Sequence, residues 1–328
     1  MAHELRINEN GQADMMYFGE KPWHGLGTEL ANPATAEEAI KYAGLDFEVV
    51  KVPLFIYPDS PISVPGQYAT VRTDTNDVLG VVGERYNPLQ NSEAFGFFDP
   101  LVDRDEAMYH TAGTLGKGER IWIMAKLPDY ISVKGDQVDK FVLLASSHDG
   151  SGSIIAKFTP IRVVCNNTLS AALAGKSDTV KIRHTRTMKD RLAEAHRVLG
   201  LSNKIYDQLD AIFNQMAETK ITDEAMKAYI INSLTPDNKS EEEKEEMSTR
   251  LINITNRVIG LTEEGMGMNH EATKGTLWGA YNALTEYADH HKVVRGDDAN
   301  ARLTSIWFGT SEFLKNKAFS LAVQMLAN

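Results

Sequence analysis

The sequence predicts an α+β fold: an antiparallel β-meander core with an N-terminal hairpin, a long helix after it, and a helical C-terminal half. Three observations predict it. Apolar β-like runs bounded by turn residues fill the first half of the chain. From Thr187 onward the apolar residues recur at helical spacing. Strands and helices are segregated rather than alternating, which argues against a doubly wound parallel sheet.

Residues 1–34 read as an irregular arm, because Gly19, Pro22, Gly25 and Gly27 break regular structure and Trp23 offers an apolar anchor. Thr35-Ala36-Glu37-Glu38 has the form of a capping box, opening a short helix to Tyr42 that stops at Gly44. Phe47 to Tyr57 reads as a strand, with Pro53 marking an edge or a bulge. Tyr68–Arg72 and Val78–Val82 form a hairpin across Asp74-Thr75-Asn76-Asp77. Asn91 caps a helix carrying Phe95, Phe98, Leu101 and Val102.

Met108–Leu115 and Arg120–Leu127 pair across Gly116-Lys117-Gly118, and strands near 141 and 154 complete a four-stranded meander. Gly113-Thr114-Leu115-Gly116-Lys117 lacks the spacing and the following Ser or Thr of a phosphate loop, and reads as a turn. An apolar stripe runs from Met188 to Met216 with a break near Gly200. Further helices follow over 223–234, from Leu251 to Gly260, from Ala272 to His290, and in two terminal pieces near 302–308 and 311–325. Between them, Pro236 to Glu246 is a solvated acidic connection. The division is a 1–34 arm, a 35–186 α+β core and a 187–328 helical region.

Composition narrows the function classes. The chain has 328 residues, 42% hydrophobic and 24% charged, which is globular usage and enough for one large domain or two. Mean hydropathy is -0.30, and no run approaches the roughly 18 apolar residues of a membrane span, so no membrane partner is expected. No basic segment followed by an apolar one opens the chain, so no signal peptide is expected. A single cysteine excludes an internal disulfide and a multi-cysteine metal site, and fits the cytoplasm. No metal or cofactor motif is present, and none is expected. The net charge of -11 argues against a protein coated in nucleic acid, but allows a local basic groove.

Such a groove has a candidate. From Lys176 to Lys204 there are eight positive and three negative residues, a local excess of +5. Lys181, Arg183, His184, Arg186, Lys189 and Arg191, with Arg162 upstream, are the candidate phosphate contacts. The alternative for this run is a charged loop paired within the chain or with a neighbouring subunit. A nucleophile–base reading joins Cys165 to His24, His148 or His184; against it, the apolar flanks of Cys165 fit a buried small hydrophobe. His148-Asp149 reads as part of a turn rather than a metal site. Asn282, Glu286, Asp289 and His290 share helical spacing and read as a solvated or interfacial face.

Several segments resemble the signature of a phage- and plasmid-related family classed as a domain of unknown function. They are Gly19-Glu20-Lys21-Pro22-Trp23-His24-Gly25-Leu26-Gly27-Thr28, Ala43-Gly44-Leu45, Tyr86-Asn87-Pro88-Leu89-Gln90-Asn91, His148-Asp149-Gly150-Ser151, Arg162-Val163-Val164-Cys165-Asn166-Asn167-Thr168-Leu169, Arg183-His184-Thr185, Trp278-Gly279-Ala280-Tyr281-Asn282 and Glu286-Tyr287. The resemblance implies a mobile-element origin and supplies no catalytic residues. The layout of hairpin, helix, meander and long helix is similar to that of phage single-strand annealing proteins of the RecT, Erf and Redβ kind, which implies a ring- or filament-forming DNA binder. The leading expectation is a non-enzymatic, homo-oligomeric binder of single-stranded nucleic acid in recombination or replication. The alternatives are an enzyme using His24, His148, Cys165 and His184 in phage defence or counter-defence, and an assembly protein without a site.

Overall fold

The computed structural model describes residues 5–8, 11–19, 26–56, 61–164, 167–169, 179–199, 202–236, 248–294, 302, 305–307 and 309–327. The acidic run within 237–247 lies outside them, as do His24 and Cys165. The chain divides into two compact units that interleave along the sequence. The first comprises 1–128, 141–158 and 179–201; the second comprises 129–140, 159–178 and 202–328.

The strands are β1 (Met15–Phe18), β2 (Thr28–Leu30), β3 (Val49–Ile56), β4 (Ile62–Arg72), β5 (Val78–Gly83), β6 (Met108–Leu115), β7 (Arg120–Val133), β8 (Asp136–Ser147), β9 (Ile154–Phe158), β10 (Ile161–Arg162), β11 (Asn167–Thr168) and β12 (Thr179–Ile182). The helices are α1 (Ala36–Tyr42), α2 (Asn91–Gly96), α3 (Asp99–Val102), α4 (Met188–Leu199), α5 (Ser202–Glu218), α6 (Asp223–Leu234), α7 (Thr249–Glu264), α8 (Leu277–Glu286) and α9 (Thr310–Ala327). The α+β class is as expected. Among the described residues no helix is long and apolar enough to cross a membrane.

The meander β6-β7-β8-β9 forms as read from the sequence, each strand antiparallel to the next, with residues 129–140 of β7 and β8 counted in the second unit. Ile121–Ala125 and Phe141–Ser147 are buried at every position, the pattern of strands covered on both faces. The described part of the arm contains two strands where an irregular segment was expected. Met15, Met16 and Tyr17 are buried, and β1 pairs antiparallel with β6 and parallel with β2, adding two strands to the sheet edge. Its glycines and proline lie outside β1 and β2.

A second sheet has the order β3-β4-β5. Pro53 marks both an edge strand and a register shift, between Pro53 and Phe55. The capping box at Thr35 forms: Glu38 N donates to the Thr35 hydroxyl (3.3 Å), and Thr35 N donates to the Glu38 carboxylate (2.9 Å). Gly44, at φ +65°, closes that helix. The helix expected from Asn91 is two pieces, because Pro100 near the start of α3 cannot continue α2. Its N-cap is Gln90, one residue earlier than read.

The second unit is built around α8, all ten residues of which are buried. A helix buried on every side needs apolar neighbours all round. Phe213, Tyr281 and Phe319 supply an aromatic cluster with Trp278, the Phe213 and Trp278 centroids lying 4.8 Å apart. The helix starts at Leu277, five residues later than read, because the Thr276 hydroxyl accepts from Gly279 N (3.0 Å) and acts as N-cap. A Cβ on Gly279 would sit 2.0 Å from the Thr273 carbonyl oxygen, so glycine is needed at this approach. Helix α7 runs past Gly260 to Glu264. Burial of Val258 and Leu261 outweighs the roughly 1 kcal/mol cost of an interior glycine. At the end of β7, Lys134 and Gly135 both have positive φ (49° and 88°), as a type I′ hairpin turn requires.

Four carboxylates of this unit are buried, Asp136, Asp139, Glu286 and Asp289, and two of them are paired with a buried cation. Asp136 Oδ2 accepts from Arg162 Nε (2.6 Å) and from Trp278 Nε1 (2.9 Å). The Arg162 guanidinium also donates to the carbonyls of Met266 (3.0 Å) and Gly267 (2.9 Å). Asp289 Oδ2 accepts from Thr168 N and Oγ1, each at 2.8 Å, and its Oδ1 accepts from Lys315 Nζ at 2.7 Å. Lys315 also donates to the Thr168 hydroxyl. Lys315 and Asp289 are each 3% exposed. Lys315→Met is therefore expected to cost about 3–5 kcal/mol, because it strands a buried carboxylate. Urea unfolding of the variant checks this, and a loss below about 1 kcal/mol would sink it.

Candidate functional site

Residues 179–199 of the basic run form one strand-turn-helix at the edge of the first unit, and Lys176 lies outside the described residues. β12 pairs with β9 through Thr179↔Lys157 to Ile182↔Ile154, and among the described residues no strand pairs its other side. The period of two turns Ile182 inward and leaves Lys181 and Arg183 exposed. The chain then turns tightly, with Thr185 N donating to the Arg183 carbonyl (2.9 Å) and Met188 N to the Thr185 carbonyl (2.9 Å). In α4 the apolar residues Met188 and Leu192 are buried, which puts Lys189 and Arg191 on the exposed face; Arg186 is exposed in the turn. Lys189 lies 2.5 Å from Glu93, and its side chain is 65% exposed. A surface pair of this kind is worth about 0–1 kcal/mol, so a phosphate can compete for the lysine.

Two members of the expected set lie elsewhere. Arg162 is fully buried in the second unit, its donors taken by Asp136, Met266 and Gly267, and it cannot serve as a surface phosphate contact. His184 is buried within the first unit, with its ring stacked on Tyr86 at 4.7 Å between centroids. The solvated or interfacial face read for Asn282, Glu286, Asp289 and His290 is also corrected at its first three members; His290 is half-buried. All three are buried, and Glu286 accepts from Met266 N at 3.0 Å.

His184 belongs to a polar cluster that joins four of the signature segments. Asn87 N donates to the His184 carbonyl (3.0 Å), and the His184 ring Nδ1 lies 3.3 Å from the Asn87 carbonyl. A carbonyl only accepts, so Nδ1 carries the proton and Nε2 keeps a bare lone pair. Tyr86 donates its hydroxyl to the Ser147 carbonyl (2.8 Å). The next residue, His148, is fully buried; its Nε2 lies 3.0 Å from Asn91 Oδ1. Asn91 Nδ2 donates to the carbonyls of Leu45 (3.0 Å) and Phe47 (3.2 Å), so the amide oxygen faces His148 as acceptor. Asn91 is thus a histidine partner rather than the expected helix cap, and nothing but its place in the quoted signature marked it. Gly80 lets β5 meet the turn after β8; a Cβ there would sit 2.4 Å from the Asp149 carbonyl oxygen.

His148 Nδ1 and His184 Nε2 are buried and have no hydrogen-bond partner among the described residues. Both are acceptors that suit a water. Among the described residues no group of three or more His, Cys, Asp and Glu is placed to hold a metal ion. Burial pushes His148 down to about 3, aided by neighbouring His184 and Arg72 against the pull of Asp149. Burial also pushes His184 down to about 4, against the Asn87 hydrogen bond and Asp149. Both rings are neutral at pH 7, which suits structural acceptors better than a proton shuttle working near neutrality.

This cluster makes stability pH-dependent. Unfolded, each histidine titrates near 6.5. Below that value the unfolded chain binds more protons than the folded one. The stabilisation is thus complete above pH 6.5 and is lost as pH falls toward 4 and 3. Each pH unit in that window should remove up to about 1.4 kcal/mol per histidine. Urea midpoints at pH 7 and pH 5 measure this, and Asn91→Leu should lower stability at both. A wild-type midpoint unchanged between the two pH values would contradict the assignment.

The comparisons with known proteins bear on the whole chain. No curated protein and no solved structure matches it. A family model described as a domain of unknown function, DUF932, matches residues 78–307. That span takes in Tyr86, Asn91, His148, His184 and the basic edge. It covers more than half of the chain, which therefore belongs to the DUF932 family.

Proposed function

We propose that this protein binds single-stranded nucleic acid on the basic edge formed by β12 and α4, without nucleotide hydrolysis. The observation that supports the reading is the exposure of Lys181, Arg183, Arg186, Lys189 and Arg191 along one strand-turn-helix of a chain with net charge -11. Cations spaced along an extended edge can follow a phosphate backbone, which lies exposed on a single strand. The family resemblance supports a mobile-element origin, and the layout likeness to annealing proteins supports a role in recombination or replication. The same likeness supports a homo-oligomer, in which edges from successive copies would extend the track. The enzyme alternative has less support, since His148 and His184 are buried and neutral at pH 7.

Fluorescence anisotropy with a labelled single-stranded oligonucleotide tests the proposal. Each neutralised phosphate contributes about -0.7 to the slope of log affinity against log salt, so five contacts give roughly -3.5. Arg183→Ala with Arg186→Ala should flatten the slope by roughly 1.4 and weaken binding to all sequences alike. Arg162→Ala should instead reduce stability, since Asp136 then loses its buried partner. No binding of DNA or RNA by the wild type at about 50 mM salt would remove the proposal.

A further inference from the structure

The second unit holds a cleft of about 640 Å³, within the size range of small-molecule sites. Its lining carries three cations, Arg250, Lys292 and Lys317, and no carboxylate among the described residues. Phe313 and Tyr287 give it an apolar wall, and Phe313 is 63% exposed. Thr310, the first residue of the 18-residue helix α9, also lines it, so the positive end of a helix dipole is at the cleft.

Two of these cations, Arg250 and Lys292, crowd each other. Burial lowers the pKa of Lys292, and Arg250, Arg302 and Lys315 lower it further. Lys292 donates to the hydroxyls of Thr310 and Ser311, which are neutral acceptors. Tyr287 opens a π-helical turn, Tyr287–His291, that follows α8 directly; such turns are frequent at functional sites. A cationic cleft with an aromatic wall fits a ligand with anionic oxygens at one end and a flat apolar body at the other.

We infer that this cleft binds a small organic phosphate of mononucleotide size, its phosphate held by Arg250 and Lys292 and its body against Phe313. The site lies in the second unit and does not depend on the basic edge of the first.

Calorimetric titration of the full chain with AMP, adenosine and inorganic phosphate tests the inference. AMP is expected to bind with Kd below about 1 mM, and adenosine and inorganic phosphate each at least about tenfold more weakly. Arg250→Gln, at an exposed helix position, should weaken AMP about tenfold by removing one charge-assisted contact. Phe313→Ala should weaken AMP and leave inorganic phosphate unchanged. Circular dichroism confirms that both exposed-site variants are folded. Absence of AMP binding overturns the inference, as does inorganic phosphate binding as tightly as AMP. So does AMP binding that survives Arg250→Gln and Phe313→Ala. Loss of AMP binding in Arg183→Ala alone would place the anion on the basic edge and overturn it too.

Discussion

Two buried carboxylates, Asp136 and Asp289, constrain everything packed around the central helix of the second unit. An ionised carboxylate taken out of water needs full pairing, and the desolvation cost is several kcal/mol when a partner is missing. Asp136 reaches its partners on β10 and α8; Asp289 reaches its own on β11 and α9. Hydrophobic burial alone would let α8 rotate or slide among equally apolar neighbours. The pairing of each carboxylate with groups far away in sequence selects one arrangement.

The first unit meets the same constraint with a buried amide and with ion pairs. Asn91 offers its amide to two carbonyls and its oxygen to His148, so one side chain satisfies three buried polar groups. Arg72, also buried, forks onto Asp74 at 2.7 and 2.8 Å and lies 3.7 Å over the Phe47 ring. Both units therefore carry polar networks in their interiors, where an unmade bond is costly in a low-dielectric surrounding.

How far this was legible in the sequence depends on the range of the interaction. Local signals read correctly: the Thr35 capping box, the bulge at Pro53, the meander turns and the 223–234 helix each depend on residues within a few positions. Readings that needed a distant partner went astray. Glu286 and Asp289 looked solvated because charge at helical spacing usually faces water, and their partners Met266, Thr168 and Lys315 lie 20, 121 and 26 residues away. Arg162 looked like a surface cation for the same reason. The basic edge was legible as a charge excess, since exposed cations need no partner. The His148–Asn91 contact spans 57 residues and was not.

The interleaving of the two units has a consequence for the order in which the chain can assemble. The first unit needs residues out to 201, and the second has pieces at 129–140 and 159–178 that precede the end of the first. During synthesis from the N-terminus, the meander can collapse before β12 and α4 exist, but its last edge must wait for them. The early pieces of the second unit can pair as parts of β7, β8 and β10, but their burial by α8 and α9 must wait until those helices emerge about a hundred residues or more later. Such long loop closures slow folding, and they leave Arg162 and Asp136 to wait, solvated, for the helix that buries them. Neither unit is a continuous stretch, so no single cut in the chain releases either one whole.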